Sequence, residues 1–192
     1  GQNGIVGNHG GAFSEIYKNH IYNIGNRQEF FGFEIAGIKL HAAIDTHIHH
    51  NVIHDCFWGT WLDWQAQGAR LSSNIYFDNI DKDLWLEVTH GPLMVDNNIF
   101  ASKKNFTNNV QGAAFVNNIF AGTTQYYSVL DRSTPYHFPH STAVAGCAAM
   151  YSGDNRYYNN IFCGKDADGW KAGTDYYNGY SASLKEYLEC VH

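Results

Sequence analysis

The sequence predicts an all-β solenoid, a parallel β-helix with a short helix near the C-terminus. Three observations carry this expectation. A short Asn-containing motif returns at regular intervals, aromatic residues make up 16% of the chain, and helix-forming runs of Ala, Leu, Glu and Lys are scarce. β-branched and aromatic side chains suit pleated strands, and aromatic faces also suit sugar rings.

The motif is Asn followed two positions later by Ile or an equivalent apolar residue. It occurs as NHIYN from Asn19, NVIHD from Asn51, NIYFD from Asn74, NNIFA from Asn97 and again from Asn117, and NNIFC from Asn159, with offsets of 32, 23, 23, 20 and 42. Such a period, filled with short β-prone pieces, fits one turn of a parallel β-helix; leucine-rich repeats share the period but need a regular Leu pattern that is absent. Asn has two reasons to return at a corner. It tolerates the left-handed backbone of a tight turn, and amides stacked on successive turns hydrogen-bond along a ladder. If the NN pairs were only the turn signals of a β-sandwich, the even spacing would go unexplained.

The interruptions follow in order. GNRQEFFGFE accounts for the long first offset as an excursion before EIAGIKLHAAI resumes the strand pattern. TTQYYSVLDRSTPYHFPHSTA, polar and with two prolines, is expected to be a surface loop within the long last interval. In SASLKEYLECVH, Ser183 and Glu186 form a capping box, and Leu184, Tyr187, Leu188 and Val191 share a helical face that would cover the coil. The 192 residues read as one domain, residues 1–192, and the absence of an initial Met suggests a fragment or the C-terminal portion of a longer polypeptide.

Composition narrows the partners. A formal charge of -6 leaves no basic footprint for nucleic acid or an anionic membrane. No apolar run is long enough to span a bilayer, and GQNGIVGNHG lacks the features of a signal peptide, so a soluble, cytoplasmic protein is expected. Cys56, Cys147, Cys163 and Cys190 have no CxxC spacing and are expected to be free, mostly buried thiols.

Two segments carry the chemistry, WLDWQAQG (61–68) and LWLEVTHGP (84–92). Asp63 lies 12 residues after Asn51 and Glu87 lies 13 after Asn74, so the two acids occupy equivalent places in adjacent turns, within a one-residue ambiguity. Stacked strands are about 4.8 Å apart, which would put the carboxyls about 5 Å apart. That is the separation of a retaining glycosidase, and it is too short for an inverting one. Like charges at that range push one pKa up, leaving a proton donor beside a carboxylate nucleophile. The plain alternative for each acid is a solvated strand residue paired with Lys or Arg. Against it stands a setting of Trp61, Trp64 and Trp85 in which Arg70 and Lys82 are the nearest cations along the chain.

Trp64, Gln67 and His90 flank the acids and are candidates to stack on or hydrogen-bond a pyranose ring; core packing or structural hydrogen bonds are the alternatives. His47, His49, His50 and His54 in HIHHNVIH read as polar lining of a cleft or of the coil surface rather than a metal site, since His50 opposes its neighbours in a strand. No metal and no cofactor are expected. The triplet from Asn105 matches a glycosylation acceptor and carries no weight.

The segments WLDWQAQGARLSSNIYFDN and DLWLEVTHGPLMVDNNIF resemble the catalytic region of glycoside hydrolase family 120, β-xylosidases with a right-handed parallel β-helix, and EIAGIKLHAAIDTHIHHNVIHDCFWGTW is similar to the preceding turns. The resemblance implies Asp63 as nucleophile, Glu87 as acid/base and Glu34 as a substrate-binding acid. It implies a xylo-oligosaccharide or β-xyloside substrate and no cofactor. Family members are considerably longer and carry an inserted β-sandwich, so a second copy of the chain or a complementary N-terminal chain is a compatible partner. The rival functions are a non-catalytic carbohydrate-binding β-helix and another β-helix enzyme such as a polysaccharide lyase. Lyases commonly need Lys or Arg as base or a bound calcium, and the cleft segments are poor in basic residues.

Overall fold

Each recurring Asn stands beside a corner where the backbone turns the same way. The computed structural model describes residues 1–8, 11–28, 34–126, 129–151 and 153–166. Lys18, His50, Ser73, Asn97, Asn117 and Asn159 all have φ between 52° and 57°. The residue after each of them is an Asn, and from Asn19 to Asn118 its amide reaches the Asn of the next turn. Asn51 Nδ2 donates to Asn74 Oδ1 at 3.0 Å, Asn74 to Asn98 at 3.0 Å, Asn98 to Asn118 at 3.0 Å and Asn118 to Asn160 at 2.9 Å. Backbone N–H groups of the same residues donate to the same oxygens. In the NN pairs the ladder residue is therefore the second Asn, one position later than the sequence pattern suggests, and the first supplies the left-handed turn.

After these corners the strands stack in parallel rows. One six-stranded sheet holds His20–Tyr22, Val52–His54, Ile75–Phe77, Ile99–Phe100, Ile119–Phe120 and Ile161–Phe162. A second row holds Glu15–Tyr17, His47–His49, Arg70–Ser72, the ends of the long strands Lys82–Asp96 and Lys104–Val116, and Arg156–Tyr158. A third holds Asn3–Gly7, Ala36–Leu40, Trp58–Leu62, the beginnings of the same two long strands, and Thr123–Tyr126. Because the long strands run through both, these last two rows form one ten-stranded sheet. The fold is all-β, and no helix occurs among the described residues. The expected helix around Ser183 and Glu186 lies outside them.

Inward-facing side chains repeat from turn to turn. Tyr76, Phe100, Phe120 and Phe162 stack with centroids 5.1 Å apart at each step, and Ile38, Leu62 and Leu86 lie fully buried beside them. Each such side chain contributes about 1.5–3 kcal/mol through burial. In the third row strict alternation sends Ile38, Leu40, Leu62 and Leu86 inward, which leaves Lys39, His41, Trp61, Asp63, Trp85 and Glu87 on the outer face.

The polar stretch after Thr123 is more ordered than the loop expected there. Val129–His137 and Val144–Met150 pair as an antiparallel hairpin packed on the strand Lys82–Asp96. The thiols also differ from expectation, since Cys56 is buried whereas Cys147 and Cys163 are exposed.

Candidate active site

The strand register settles where the two acids stand. Lys39 pairs with Trp61 and Trp61 with Trp85, while Leu40, Leu62 and Leu86 align on the three turns. Asp63 and Glu87 follow directly after Leu62 and Leu86. The one-residue mismatch in their distances from the motif is absorbed at the corner, where three residues separate His54 from Trp58 but four separate Phe77 from Lys82. Register between Lys82–Asp96 and its next neighbour shifts between Leu86 and Thr89, a bulge that contains Glu87 and Val88. Val88 has φ 41°, an uncommon conformation for a β-branched residue. Bulges of this kind re-aim a side chain, and here the side chain is Glu87.

The two carboxyl groups line one cavity and are close enough to interact electrostatically. Burial pushes the Glu87 carboxyl up to about 7, Asp63 beside it pushes in the same direction, and Arg132 and the Trp61 N–H oppose. Trp61 Nε1 donates to Glu87 Oε2 at 3.0 Å. Asp63 is held from other directions: the Trp64 backbone N–H donates to Oδ1 at 2.6 Å, and Lys39 Nζ donates to Oδ2 at 2.7 Å.

Lys39 is the fixed point of the site. Its side chain is 0% exposed, and its ammonium lies 2.7 Å from Asp63, 2.9 Å from Glu34 and 2.7 Å from His41 Nε2. An ammonium has three N–H donors, and the two carboxylates accept from it while His41 Nε2 lies within hydrogen-bond distance. It also sits 3.8 Å from the centroid of the Trp61 ring, which stacks on Trp85 at 4.5 Å. Glu34, His41 and Asp63 converge closely enough to suggest a metal centre. The Lys39 ammonium already supplies the cation there.

Glu34, His41, Trp61, Asp63, Trp85 and Glu87 line a cavity of about 240 Å³ together with Trp64 and Arg132. It is smaller than the roughly 300–1,000 Å³ of pockets for drug-sized ligands, a size suited to one sugar ring. Trp64 faces the Arg132 guanidinium at 5.3 Å, and its indole N–H has no partner among the described residues.

Of the residues singled out from sequence, Asp63, Glu87, Glu34 and Trp64 meet in this cavity. Gln67 and His90 do not line it. Gln67 bonds both ends of its amide to the His137 backbone, at 3.0 and 2.9 Å, and His90 Nε2 lies 3.0 Å from the Thr134 carbonyl. Both fasten the hairpin and line a neighbouring cavity of about 800 Å³. Sequence reasoning missed Lys39, His41 and Arg132, and it took the surroundings as nearly free of positive charge. Arg70 instead pairs with Asp96 at 2.8 Å, away from the acids.

No protein-family model matches the chain, and no curated protein matches it. A solved structure does: "The complex structure of XylC with xylose" aligns with a TM-score of 0.91 at 57% identity, covering 100% of this chain. The resemblance to the family 120 xylosidases is shown. The chain spans 30% of the length of the XylC chain it matches.

Proposed function

We propose that the chain is a right-handed parallel β-helix carrying the catalytic pair of a retaining glycosidase, which releases terminal xylose from β-xylosides and xylo-oligosaccharides. The observation that carries this reading is the split pair. Asp63 and Glu87 line one cavity on adjacent turns, one faces an ammonium, and burial pushes the other up to about 7. Acids that follow paired residues on adjacent parallel strands, about 4.8 Å apart, suit the roughly 5–5.5 Å of retaining enzymes better than the roughly 6.5–9.5 Å of inverting ones. The likeness to XylC, a structure holding xylose, supports the choice of sugar.

In this mechanism Asp63 attacks the anomeric carbon while Glu87 gives its proton to the departing glycosidic oxygen. A covalent glycosyl-Asp63 forms and the aglycone leaves as an alcohol. Glu87, now ionised, takes a proton from water, whose oxygen attacks the same carbon, displaces Asp63 and restores both carboxyls. Glu34 and the Trp64 ring, which line the cavity, are the groups assigned to the sugar. Lys39 matches the negative charge on Asp63 before attack and after release. The rest of a longer polypeptide, a second copy or a complementary chain would complete the aglycone side of the cleft.

Asp63→Ala is expected to abolish release of the aryl group from an aryl β-xyloside, and near-wild-type turnover would overturn the assignment. Proton NMR of the first product should show β-xylose; an initial α anomer would exclude the retaining course. A binding-only protein would hold xylo-oligosaccharide without releasing xylose, so the wild-type assay separates the two readings.

A further inference from the structure

Outside the cleft, the imidazoles of HIHHNVIH fall into two groups because the chain turns between them at His50, φ 54°. His54 lies in the six-stranded sheet, where its Nε2 is 2.7 Å from His20 Nε2 and its Nδ1 is 2.6 Å from Asp55. His47 and His49 lie in the ten-stranded sheet and, two residues apart in an extended strand, project from one face. Parallel register sets Glu15 beside His47 and Tyr17 beside His49. Glu15 Oε1 is 2.8 Å from His49 Nε2, and one ligand atom from each of Glu15, His47 and His49 lies within 4.8 Å of the others.

We propose that Glu15, His47 and His49 bind a first-row divalent transition metal, zinc in the first instance, and that the ion staples the strand Glu15–Tyr17 to the next turn. Two imidazoles and a carboxylate suit zinc, whereas calcium and magnesium favour all-oxygen sites. The surroundings fit that role. A ligating imidazole normally has its other nitrogen held by an outer partner, and His49 Nδ1 lies 2.8 Å from His50 Nδ1. The Tyr17 ring stacks on His49 at 5.1 Å and 8°, which fixes the ring plane. Ser72 Oγ, 2.7 Å from His47 Nε2, is a hydroxyl on the following turn. The Arg70 charge is taken up by Asp96.

Parallel pairing joins Glu15–Tyr17 to His47–His49 on the next turn. A ligand that binds only the folded state stabilises it by mass action, and this one would do so across those two turns.

The test is titration of zinc into the whole chain against a chromophoric zinc chelator, with thermal unfolding followed in parallel. Wild type should bind one equivalent and melt at a higher temperature with zinc, but not with calcium. Because loss of an outer partner alone typically weakens binding about 10–100-fold, His47→Ala and His49→Ala should each weaken it at least about tenfold. Glu15→Gln, at an exposed side chain that leaves the fold undisturbed, should also weaken it, whereas His54→Ala should not. X-ray absorption on zinc-loaded wild type, which needs no variant, should give two imidazole nitrogens in the coordination shell. Absence of stoichiometric binding, binding that survives both histidine substitutions, or an equal response to calcium would each overturn the proposal.

Discussion

Asp83 and Glu87 sit four residues apart on the strand Lys82–Asp96, and burial raises both carboxyls, to about 6 and about 7. Asp83 is fully enclosed, and every polar atom near it is a donor: the Asn79 amide at 2.8 Å, the Asn105 amide at 3.1 Å, and the Ser102 backbone N–H at 3.1 Å together with its hydroxyl. The same Asn79 accepts from the Cys56 backbone and the same Asn105 from the Gly122 backbone, so this carboxyl ties together the corners of successive turns. Glu87 has one donor, Trp61, a second carboxyl, and a cavity in front of it. A raised pKa therefore does not by itself mark a catalytic group. What separates the two is a like-charged partner and room for a substrate.

The largest effect expected from breaking this comparison is in Glu87→Gln. Glu87 must hold its proton to act as the acid, so kcat/KM of wild type should fall as pH rises through about 7. Glutamine cannot donate that proton. Turnover of an alkyl β-xyloside should drop by roughly 10²–10⁴, and the alkaline limb should vanish from the pH profile. An unchanged limb in the variant would assign it to some other group.

Next in size is Lys39→Met, which keeps the aliphatic stem over Trp61 and removes the ammonium that Asp63, Glu34 and His41 share. Taking away one partner of a buried ion pair costs about 3–5 kcal/mol. Denaturant midpoints should fall accordingly, and kcat should fall with them because Asp63 loses both its counter-charge and its orientation. A variant as stable and active as wild type would show that the ammonium is not what distinguishes the cleft from the enclosed site.

Much of this was legible in the chain because parallel strands stacked turn upon turn write their geometry as a period. The Asn motif located all six strands of one sheet, and its reading was one residue early only in the NN pairs, where both residues suit a corner and only the hydrogen-bond ladder separates them. The same period could have found Lys39 and His41. Alternation around Ile38 and Leu40 puts them outward, and one turn carries them onto Trp61 and Asp63. Arg132 could not have been found that way, since it belongs to a hairpin inserted between turns and obeys no period. Gln67 and His90 were singled out for lying near the acids in sequence, but whether a polar side chain faces substrate or backbone depends on that same hairpin. Asn105 matched a glycosylation triplet by chance; it is wholly buried against Asp83.

The smallest effect, and the sharpest control, is Asp83→Asn. The asparagine would turn an amide N–H₂ toward groups that are themselves donors, at a cost of about 1–3 kcal/mol. The sign of the pH dependence follows from the raised carboxyl. Between the ordinary value of 3.8 and about 6 the native state binds more protons than the unfolded chain, so the stability contributed by Asp83 is greatest at low pH and declines as pH rises through that window. Glu87 adds a slope of the same sign between 4.5 and about 7, and it does so in wild type and variant alike. Urea midpoints from pH 4 to 7 should therefore decline less steeply in Asp83→Asn than in wild type, and the difference should be confined to the part of that range below about pH 6. Over the same span the alkaline limb of kcat/KM near pH 7 should stay where it is, because the enclosed carboxyl touches neither Asp63 nor the cavity. If that limb moves with Asp83→Asn, the two carboxyls are one coupled system and the contrast between them fails.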